Sequence, residues 1–385
     1  MKAKRKAFVA KAARTPTVRK VQPAIRLVRR QVPGARPNDR DAARRSTTIS
    51  ATATTSASAV LDVLGGRPVE LEVDLGRGLV LCNPVIVASG PFGYGAEMAD
   101  LVDLARLGGI VTRGTSLKPR AGHPMPRTAE VPAGLLLGMG SQNPGLDLVL
   151  ERYATTWAGW PIPVILNLCG DSGGDLAEAA RRLEGVPGVA GVEVNLSCSG
   201  GGRSSAFGLD AGSAGSAIAA VRRACDLPLI AKLTAAAGDV RAVARAVEDA
   251  GADAISAINT LPGLMLAADR LRPALGSTYG GVCGPALKPI ALRAVFEIAQ
   301  VVDIPVIGIG GVSRLDDVLD FLAVGASAVG IGVAALADPM LPVRLADELA
   351  DACRARGLGS VSDLVGTALP ARPAQPSTRG AEYAR

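Results

Sequence analysis

The chain has 385 residues, of which 48% are hydrophobic, 20% charged and 3% aromatic. This length can bury a large core, and no apolar run reaches the roughly 18 residues that a membrane-spanning helix needs, so we expect no membrane span. The chain has one histidine, His123, which argues against a His-rich metal site and a Ser/His/Asp triad. Its six cysteines are scattered and form no C-x-x-C pair, which argues against a disulfide scaffold and favours a reducing, cytoplasmic location.

The formal net charge of +7 is unevenly distributed along the chain. Residues 1–50 hold 15 Lys and Arg but only 2 Asp, whereas the rest of the chain holds 27 basic and 33 acidic residues. A basic segment is therefore attached to a mildly acidic body. The overall charge does not indicate that the folded part binds nucleic acid.

Residues 1–66 are predicted to form a disordered extension, because they are basic and then low in complexity (STTISATATTSASA). Three interpretations stay open: a solvated extension that adds no folded structure, a targeting peptide, and an arm for phosphate groups or a membrane surface. A folded domain is predicted over 67–365. The Pro-rich stretch over 366–385 is predicted to be a disordered tail.

A hairpin is predicted over 69–81 (VELEVDLGRGLVL), where it would close the bottom of the domain. Short β-branched apolar runs then alternate with Ala- and Leu-rich helical segments, as in a parallel sheet covered on both faces. The runs lie at 83–90, 109–114, 163–170, 191–197, 228–234, 254–260, 305–311 and 327–333. The helical segments include 96–108, 176–186, 214–226, 239–252, 315–326 and 342–357. Eight such units favour an α/β fold of the (β/α)8 TIM-barrel type over a doubly wound sheet.

Polar residues or glycines stand at the ends of these predicted strands. They are Ser89, Arg113, Asn167, Asn195 with Ser197, Lys232, Asn259 with Thr260, Gly310 with Gly311, and Gly332. The carboxyl ends of barrel strands meet at one face, where the loops build the active site. The pattern therefore predicts a ligand with many hydrogen-bonding edges.

The last two strands end in IGIGG and GIGV, which are either simple turns or backbone N–H groups exposed for a phosphate. Lys232 ends a buried strand and needs an anionic or carbonyl partner, either on a ligand or on a neighbouring strand. Asn167 and Asn195 are placed to bond the same ligand. A phosphorylated planar heterocycle fits these features best, and FMN is such a molecule.

Cys198 lies on a Gly-rich loop (NLSCSGGG) after the fourth predicted barrel strand. One interpretation is a small buried hydrophobe, which is the common fate of a free cysteine. The other is a base that removes a proton from carbon while a hydride leaves to the flavin.

Nine motifs in chain order, between about residue 69 and residue 345, carry a family resemblance: NPVIVASGPFGYG, TSLKPRAGHPMPRTAEVPAG, SQNPGL, VEVNLSC, KLT, INT, CGPALKP, PVIGIGGV and AVGIGVAALADP. Together they resemble class 1 dihydroorotate dehydrogenases, above all the catalytic subunit of the NAD-linked type. The resemblance implies an FMN flavoprotein that oxidises dihydroorotate to orotate in pyrimidine biosynthesis. It implies hydride transfer from substrate C6 to flavin N5 and removal of the C5 proton by Cys198.

The resemblance also implies the binding residues, whereas the histidine and cysteine content predicts no metal site. Flavin contacts are implied at Ser89, Arg113, Gly114, Asn167, Asn195, Lys232, Ile258, Gly284, Gly310, Gly311, Gly332 and Val333. Pyrimidine contacts are implied at Asn195, Asn259 and Thr260, with Arg113 as a candidate for the carboxylate.

This chain departs from the family pattern at several positions. It has Arg113 for Lys, Leu137 for Asn, Ser199-Gly200 for Pro-Asn and Val333 for Thr. A missing partner for a buried polar group costs about 1–3 kcal/mol, so the two lost Asn side chains would weaken dihydroorotate binding by roughly two orders of magnitude.

Three readings follow from these departures. The first is a dihydroorotate dehydrogenase with a repacked pocket that uses Arg113 or Arg203 for the carboxylate. The second is a paralogous FMN oxidoreductase acting on a different cyclic amide or unsaturated substrate. The third is a flavin-binding protein without activity.

The NAD-linked type works with a separate iron–sulfur flavoprotein subunit. This chain has neither a dinucleotide fingerprint nor a ferredoxin-like cysteine cluster, so we expect no direct use of NAD. The acceptor is then NAD through that partner, fumarate or another oxidant. The resemblance also implies a homodimer.

Overall fold

The structure, a computed structural model, describes residues 68–197 and 207–371. The predicted extension over 1–66, together with Cys198, Gly200 and Arg203, lies outside these residues. At the other end the described chain continues past the predicted boundary at 365. Gly366 and Ala368 donate backbone hydrogen bonds to the carbonyls of Leu322 and Ala323, which fastens this segment to the folded domain.

The described residues form fourteen strands and eight α-helices. The strands are β1 (Val73–Asp74), β2 (Val80–Leu81), β3 (Val85–Val87), β4 (Gly109–Val111), β5 (Thr128–Val131), β6 (Gly134–Leu137), β7 (Val164–Leu168), β8 (Val189–Asn195), β9 (Leu229–Leu233), β10 (Ala254–Ala257), β11 (Leu261–Gly263), β12 (Gly280–Cys283), β13 (Val306–Ile309) and β14 (Ala328–Ile331). The α-helices are α1 (Leu146–Ala158), α2 (Gly173–Arg181), α3 (Ala211–Ala224), α4 (Val240–Asp249), α5 (Lys288–Ala299), α6 (Leu315–Ala323), α7 (Ala334–Ala337) and α8 (Leu341–Ala355). Short 3-10 helices lie at Leu104–Arg106, Phe207–Leu209, Pro285–Leu287 and Val361–Leu364.

Eight of the strands close into a parallel barrel in the order β3-β4-β7-β8-β9-β10-β13-β14. Each coincides with one of the predicted apolar runs, which confirms the TIM-barrel fold. Every residue of β7, β9, β10, β13 and β14 is buried. These strands are covered inside by barrel side chains and outside by helices, which is why most of their residues are apolar.

The predicted hairpin is confirmed as β1 and β2, which pair antiparallel. Leu79 and Leu81 are buried, and they lie against Gly191 in β8 and Gly109 at the start of β4. Arg77 in the turn forms an ion pair with Asp253, just before β10, at 3.1 Å. The hairpin therefore covers the amino ends of the barrel strands, opposite the face where the site residues collect.

Five of the six predicted helical segments are confirmed in α2, α3, α4, α6 and α8, but the prediction of a helix over 96–108 is wrong. This segment forms turns followed by the 3-10 helix Leu104–Arg106. The Asp103 carboxylate accepts a hydrogen bond from the Ala105 backbone N–H and so starts a new turn in the middle of the segment. Short polar side chains that bond to the local backbone compete with a continuous helix in this way.

A four-stranded antiparallel sheet, in the order β11-β12-β6-β5, was not predicted. Its strands come from the chain that follows β4 and the chain that follows β10. Both segments leave the carboxyl ends of barrel strands, so the sheet stands on the side of the barrel that carries the site.

Candidate active site at the carboxyl ends of the strands

A buried carboxylate lies at the centre of the site, and the sequence patterns did not single it out. Glu193 in β8 is fully buried. Its Oε1 accepts hydrogen bonds from Asn167 Nδ2 in β7 at 2.5 Å and from Lys232 Nζ in β9 at 3.3 Å. Its Oε2 accepts from Ser256 Oγ in β10 at 2.6 Å. One carboxylate thus links four adjacent strands, and Lys232 has the strand-end partner that was one of its two predicted alternatives.

Three asparagines continue this network toward the mouth of the barrel. Asn195 Nδ2 donates to Asn167 Oδ1 at 3.5 Å, and Asn259 Nδ2 donates to Asn195 Oδ1 at 2.9 Å. Asn259 Oδ1 accepts from the backbone N–H of Thr260 at 2.8 Å. The structure therefore brings together the predicted residues Asn167, Asn195, Lys232, Asn259 and Thr260.

Arg113 follows β4 and is half-buried. Its backbone N–H donates to the Gly93 carbonyl at 2.8 Å, whereas its guanidinium bonds to no residue in the described part of the chain. Burial raises the pKa of nearby Tyr94, and the hydrogen bond with Thr115 and the charge of Arg113 offset this only in part. A guanidinium without a protein partner at the barrel mouth is suited to bind an anionic ligand group.

Gly114 follows Arg113 and lies against the asparagine network. A Cβ added at Gly114 would lie 2.5 Å from Cys169 Sγ and 3.0 Å from Asn167 Oδ1. A side chain at this position would displace Asn167, so the glycine allows the backbone to approach the network closely.

The ends of β13 and β14 form a different kind of surface, made of main chain. Gly310 and Gly311 have φ values of +137° and +74°, which L side chains rarely adopt. The backbone N–H groups of Gly310, Gly311, Gly332 and Val333 donate to no acceptor among the described residues. A Cβ added at Gly332 would meet nothing within 4 Å, so space is open there. Unpaired N–H groups at two neighbouring strand ends suit a phosphate. We call these four residues the glycine cradle.

A second ion pair supports the glycine cradle, and the sequence patterns did not reveal it. Lys288, the first residue of α5, contacts Asp317 Oδ1 at 2.5 Å and Asp320 Oδ2 at 2.7 Å. Asp317 also accepts from the Ser313 backbone N–H at 2.8 Å and from Ser313 Oγ at 3.0 Å. These bonds fasten the turn that follows Gly311 to the start of α5.

Asp317 lies just inside α6 and is 3% exposed. Burial pushes the pKa of its carboxyl up, but the hydrogen bonds from Lys288 and Ser313 outweigh this, so its pKa lies below its ordinary value of 3.8. Asp317 is therefore an ionised partner of Lys288 at neutral pH.

The remaining predicted cofactor residues lie around this face. Ser89 follows β3, and Ile258 follows β10 and donates its backbone N–H to the Ile309 carbonyl at 2.8 Å. Gly284 has a φ of +116°, and its carbonyl oxygen lies 3.1 Å from the Cβ position of Gly311. Gly284 is therefore next to the glycine cradle.

Leu137, at one of the positions where the chain departs from the family pattern, ends β6 directly opposite Gly281 in β12. A Cβ added at Gly281 would collide with the Thr260 side chain. Directly opposite residues in an antiparallel pair point to the same face of the sheet, so Leu137 shares the face on which Thr260 lies. An apolar side chain therefore stands beside the predicted pyrimidine site.

The predicted base, Cys198, lies outside the described residues and stays a prediction. The preceding residue, Ser197, has a buried Oγ without a hydrogen-bond partner in the described part of the chain. Its backbone N–H donates to Asn195 Oδ1 at 3.2 Å, so the chain enters the Cys198 loop directly from the asparagine network.

The described residues contain no cluster of three or more His, Cys, Asp or Glu that could hold a metal ion. None of the helices within 68–197 and 207–371 has the length and apolar character to cross a membrane.

Comparison with known proteins agrees with this geometry. A family model described as dihydroorotate dehydrogenase matches residues 71–353. The chain is similar to proteins named dihydroorotate dehydrogenase B (NAD(+)), catalytic subunit. It is 44% identical over 292 residues to the one from Geobacter sp. (strain M21), which covers 75% of this chain and 95% of the relative. It is 45% identical to the one from Pelobacter propionicus with the same coverage, and 41% identical over 302 residues to the one from Porphyromonas gingivalis, covering 78% of this chain and 98% of the relative.

Proposed function

The chain belongs to the dihydroorotate dehydrogenase family, and from this premise we propose that it oxidises dihydroorotate to orotate in pyrimidine biosynthesis with FMN as cofactor. One observation carries the proposal. The hydrogen-bonded network of Lys232 and three asparagines lies at the same end of one barrel as the glycine cradle, whose four N–H groups have no acceptor among the described residues. The first is suited to a polar ring and the second to a phosphate.

The residues present fit FMN. The N–H groups of the glycine cradle would hold its phosphate, and the open space at Gly332 leaves room for it. Lys232, Asn167 and Asn195 would bond the polar edge of the ring system, with Ser89, Gly114, Ile258 and Gly284 around it. When bound, FMN supplies an acceptor for the hydride that leaves substrate C6.

The chain's own residues bind the substrate and move the proton. Asn195, Asn259 and Thr260 hold the pyrimidine ring through hydrogen bonds, and the guanidinium of Arg113, which bonds to no described residue, binds the carboxylate. Cys198, as a thiolate, takes the proton from C5 while the hydride leaves C6, so that a C5=C6 double bond forms and the thiol carries the proton. Catalysis then depends on the loop that carries Cys198 lying over the substrate.

A second subunit is part of this proposal, because the relatives are named as catalytic subunits. We propose an iron–sulfur flavoprotein that passes electrons onward to NAD, and a homodimer of the present chain. Co-purification of the chain with such a subunit, with NAD reduction that needs both proteins, is the expected result. NAD reduction by this chain alone would contradict it.

A second candidate function is favoured by Leu137. Its apolar side chain shares the face of Thr260 where a polar group would contact orotate. An FMN oxidoreductase of this family that acts on a different cyclic amide, or on another unsaturated substrate, would use such an apolar wall.

One experiment separates these functions. The purified protein is examined under anaerobic conditions for bound FMN and is then mixed with dihydroorotate. Bleaching of the flavin absorbance supports the dihydroorotate dehydrogenase. A yellow protein that dihydroorotate does not bleach favours the second candidate, and a colourless protein without affinity for FMN contradicts both.

A further inference from the structure

Glu193 is the one acidic side chain of the described residues that is completely buried. It accepts hydrogen bonds from Asn167, Lys232 and Ser256, each on a different strand. Taking a carboxylate out of water is costly, and a buried ion pair is often no more stabilising than apolar residues of similar volume. Stability of the barrel therefore does not by itself explain a carboxylate here.

The carboxylate also determines how the asparagines are oriented. An ionised carboxylate has no donor, so Asn167 must turn its Nδ2 toward Glu193 and present its Oδ1 toward Asn195. Asn195 then donates to Asn167, and Asn259 donates to Asn195. Each amide in this row donates toward Glu193, so the carboxylate sets which atoms the asparagines offer to a ligand.

The strand register places the backbones of the two charged residues at different depths. The α-carbon of Lys232 pairs with that of Asn195, the last residue of β8, whereas Glu193 pairs with Ile230. Two residues along a strand span about 6.6 Å, so the backbone of Glu193 lies deeper in the barrel than that of Lys232. Lys232 is 4% exposed, and its ammonium has a single partner among the described residues, Glu193.

We propose that Glu193 is a positioning residue that fixes Lys232 and Asn167 against the flavin and, as the counter-charge of Lys232, limits how strongly the bound flavin attracts electrons. This inference rests on the proposed function, because it requires that FMN binds at this face. The backbone of Lys232 lies closer to the mouth, so we expect its positive charge to act on the flavin more strongly than the negative charge of Glu193. Removing the charge of Glu193 and removing the charge of Lys232 must then shift the reduction equilibrium of the flavin in opposite directions.

The test is the midpoint potential of FMN bound to four proteins: the parent, Glu193→Gln, Lys232→Met and the double variant. Gln has nearly the shape of Glu but no charge, so it leaves the Lys232 charge uncompensated. We expect the potential to fall in the order Glu193→Gln, parent, double variant, Lys232→Met. The shift for Glu193→Gln should favour reduction by about tenfold, which is about 30 mV for a two-electron couple.

Ser256→Ala is the matched control, because it removes a hydrogen bond to Glu193 and leaves both charges in place. Its reduction equilibrium should stay within about twofold of the parent. A shift in Ser256→Ala as large as that in Glu193→Gln would show that packing, not charge, is responsible, and would overturn the proposal. An unchanged or lower potential in Glu193→Gln would overturn it as well.

The comparison also works if Glu193→Gln does not fold. Lys232→Met and the double variant differ only at position 193, and the double variant should have the higher potential. Equal potentials in these two proteins would overturn the role of Glu193. If the parent protein binds no FMN, the proposed function itself is contradicted. If the parent binds FMN and all four proteins have equal potentials, only the role of Glu193 is contradicted.

Discussion

The two sides of the barrel mouth offer different kinds of groups to a ligand. On the side of β7 to β10, side chains converge: Glu193, Lys232 and three asparagines form one hydrogen-bonded network. On the side of β13 and β14, the glycine cradle offers main-chain N–H groups, and three of its four residues have no side chain. The first side depends on which residues are present, whereas the second depends on a backbone conformation that neighbouring residues hold in place. Substitutions on the two sides should therefore affect different measurements.

The largest expected effect comes from Cys198→Ala, which removes the proposed base. Loss of a general base slows proton transfer by about 10²–10⁴-fold, so flavin reduction by dihydroorotate should slow by this factor. The affinity for FMN should not change, because the glycine cradle is untouched. Rapid-mixing absorbance under anaerobic conditions measures the rate.

Cys82→Ala is the control for this variant, since Cys82 is an exposed cysteine that precedes β3 at the amino end of the barrel. It should reduce its flavin at the parent rate. Equal rates for Cys198→Ala and the parent would remove Cys198 from the mechanism.

Gly311→Ala tests the main-chain half. An alanine at a φ of +74° is strained, and its Cβ would lie 2.8 Å from the backbone nitrogen of Lys288. Strain of this kind costs about 1–3 kcal/mol, and the backbone must shift as well, so we expect FMN affinity to fall by about a hundredfold. Quenching of FMN fluorescence on titration measures the affinity.

Gly238→Ala is the matched control, because its φ is not positive and an added Cβ meets nothing within 4 Å. It should bind FMN as the parent does. Parent-like affinity in Gly311→Ala would show that the cradle conformation does not determine phosphate binding.

Asp317→Asn is expected to weaken the support of the cradle more mildly. Lys288 keeps Asp320 as a partner, so we expect a loss of about 1–3 kcal/mol in unfolding free energy and of about tenfold in FMN affinity. The pKa of Asp317 is lowered in the folded protein, so the stability it contributes is fully present above its ordinary pKa of 3.8 and is lost as pH falls through the folded value. The unfolding free energies of parent and variant, measured with denaturant, should differ by a constant amount above pH 3.8 and should converge below the folded pKa. A difference that grows toward low pH would contradict the assignment.

Sequence patterns were sufficient for the barrel because its strands are mostly buried on both faces and therefore form short, largely apolar runs. They failed for the segment 96–108, where Asp103 starts a new turn, and for the antiparallel sheet, whose paired strands β6 and β12 are far apart in the chain. The polar residues at the ends of the strands could be recognised from the sequence. The partners Glu193 and Ser256 are 63 residues apart, and only the strand register brings them together. The ion pair of Asp317 with Lys288 could not be predicted for the same reason, since it depends on how α5 and α6 pack.

The smallest expected effect concerns Leu137, and it sharpens the choice between the two candidate substrates on the side-chain half. Leu137→Asn places an amide on the face of Thr260, and one added hydrogen bond contributes about 1 kcal/mol net, so dihydroorotate should bind about fivefold more tightly. Thr128→Asn is the control, because Thr128 lies opposite Leu137 on the far side from Gly281, in the strand at the edge of the sheet. Saturation of anaerobic flavin bleaching gives the affinities. A gain in Leu137→Asn alone shows that the pocket accepts dihydroorotate next to position 137, whereas equal affinities in parent and variant favour a substrate whose apolar edge contacts Leu137.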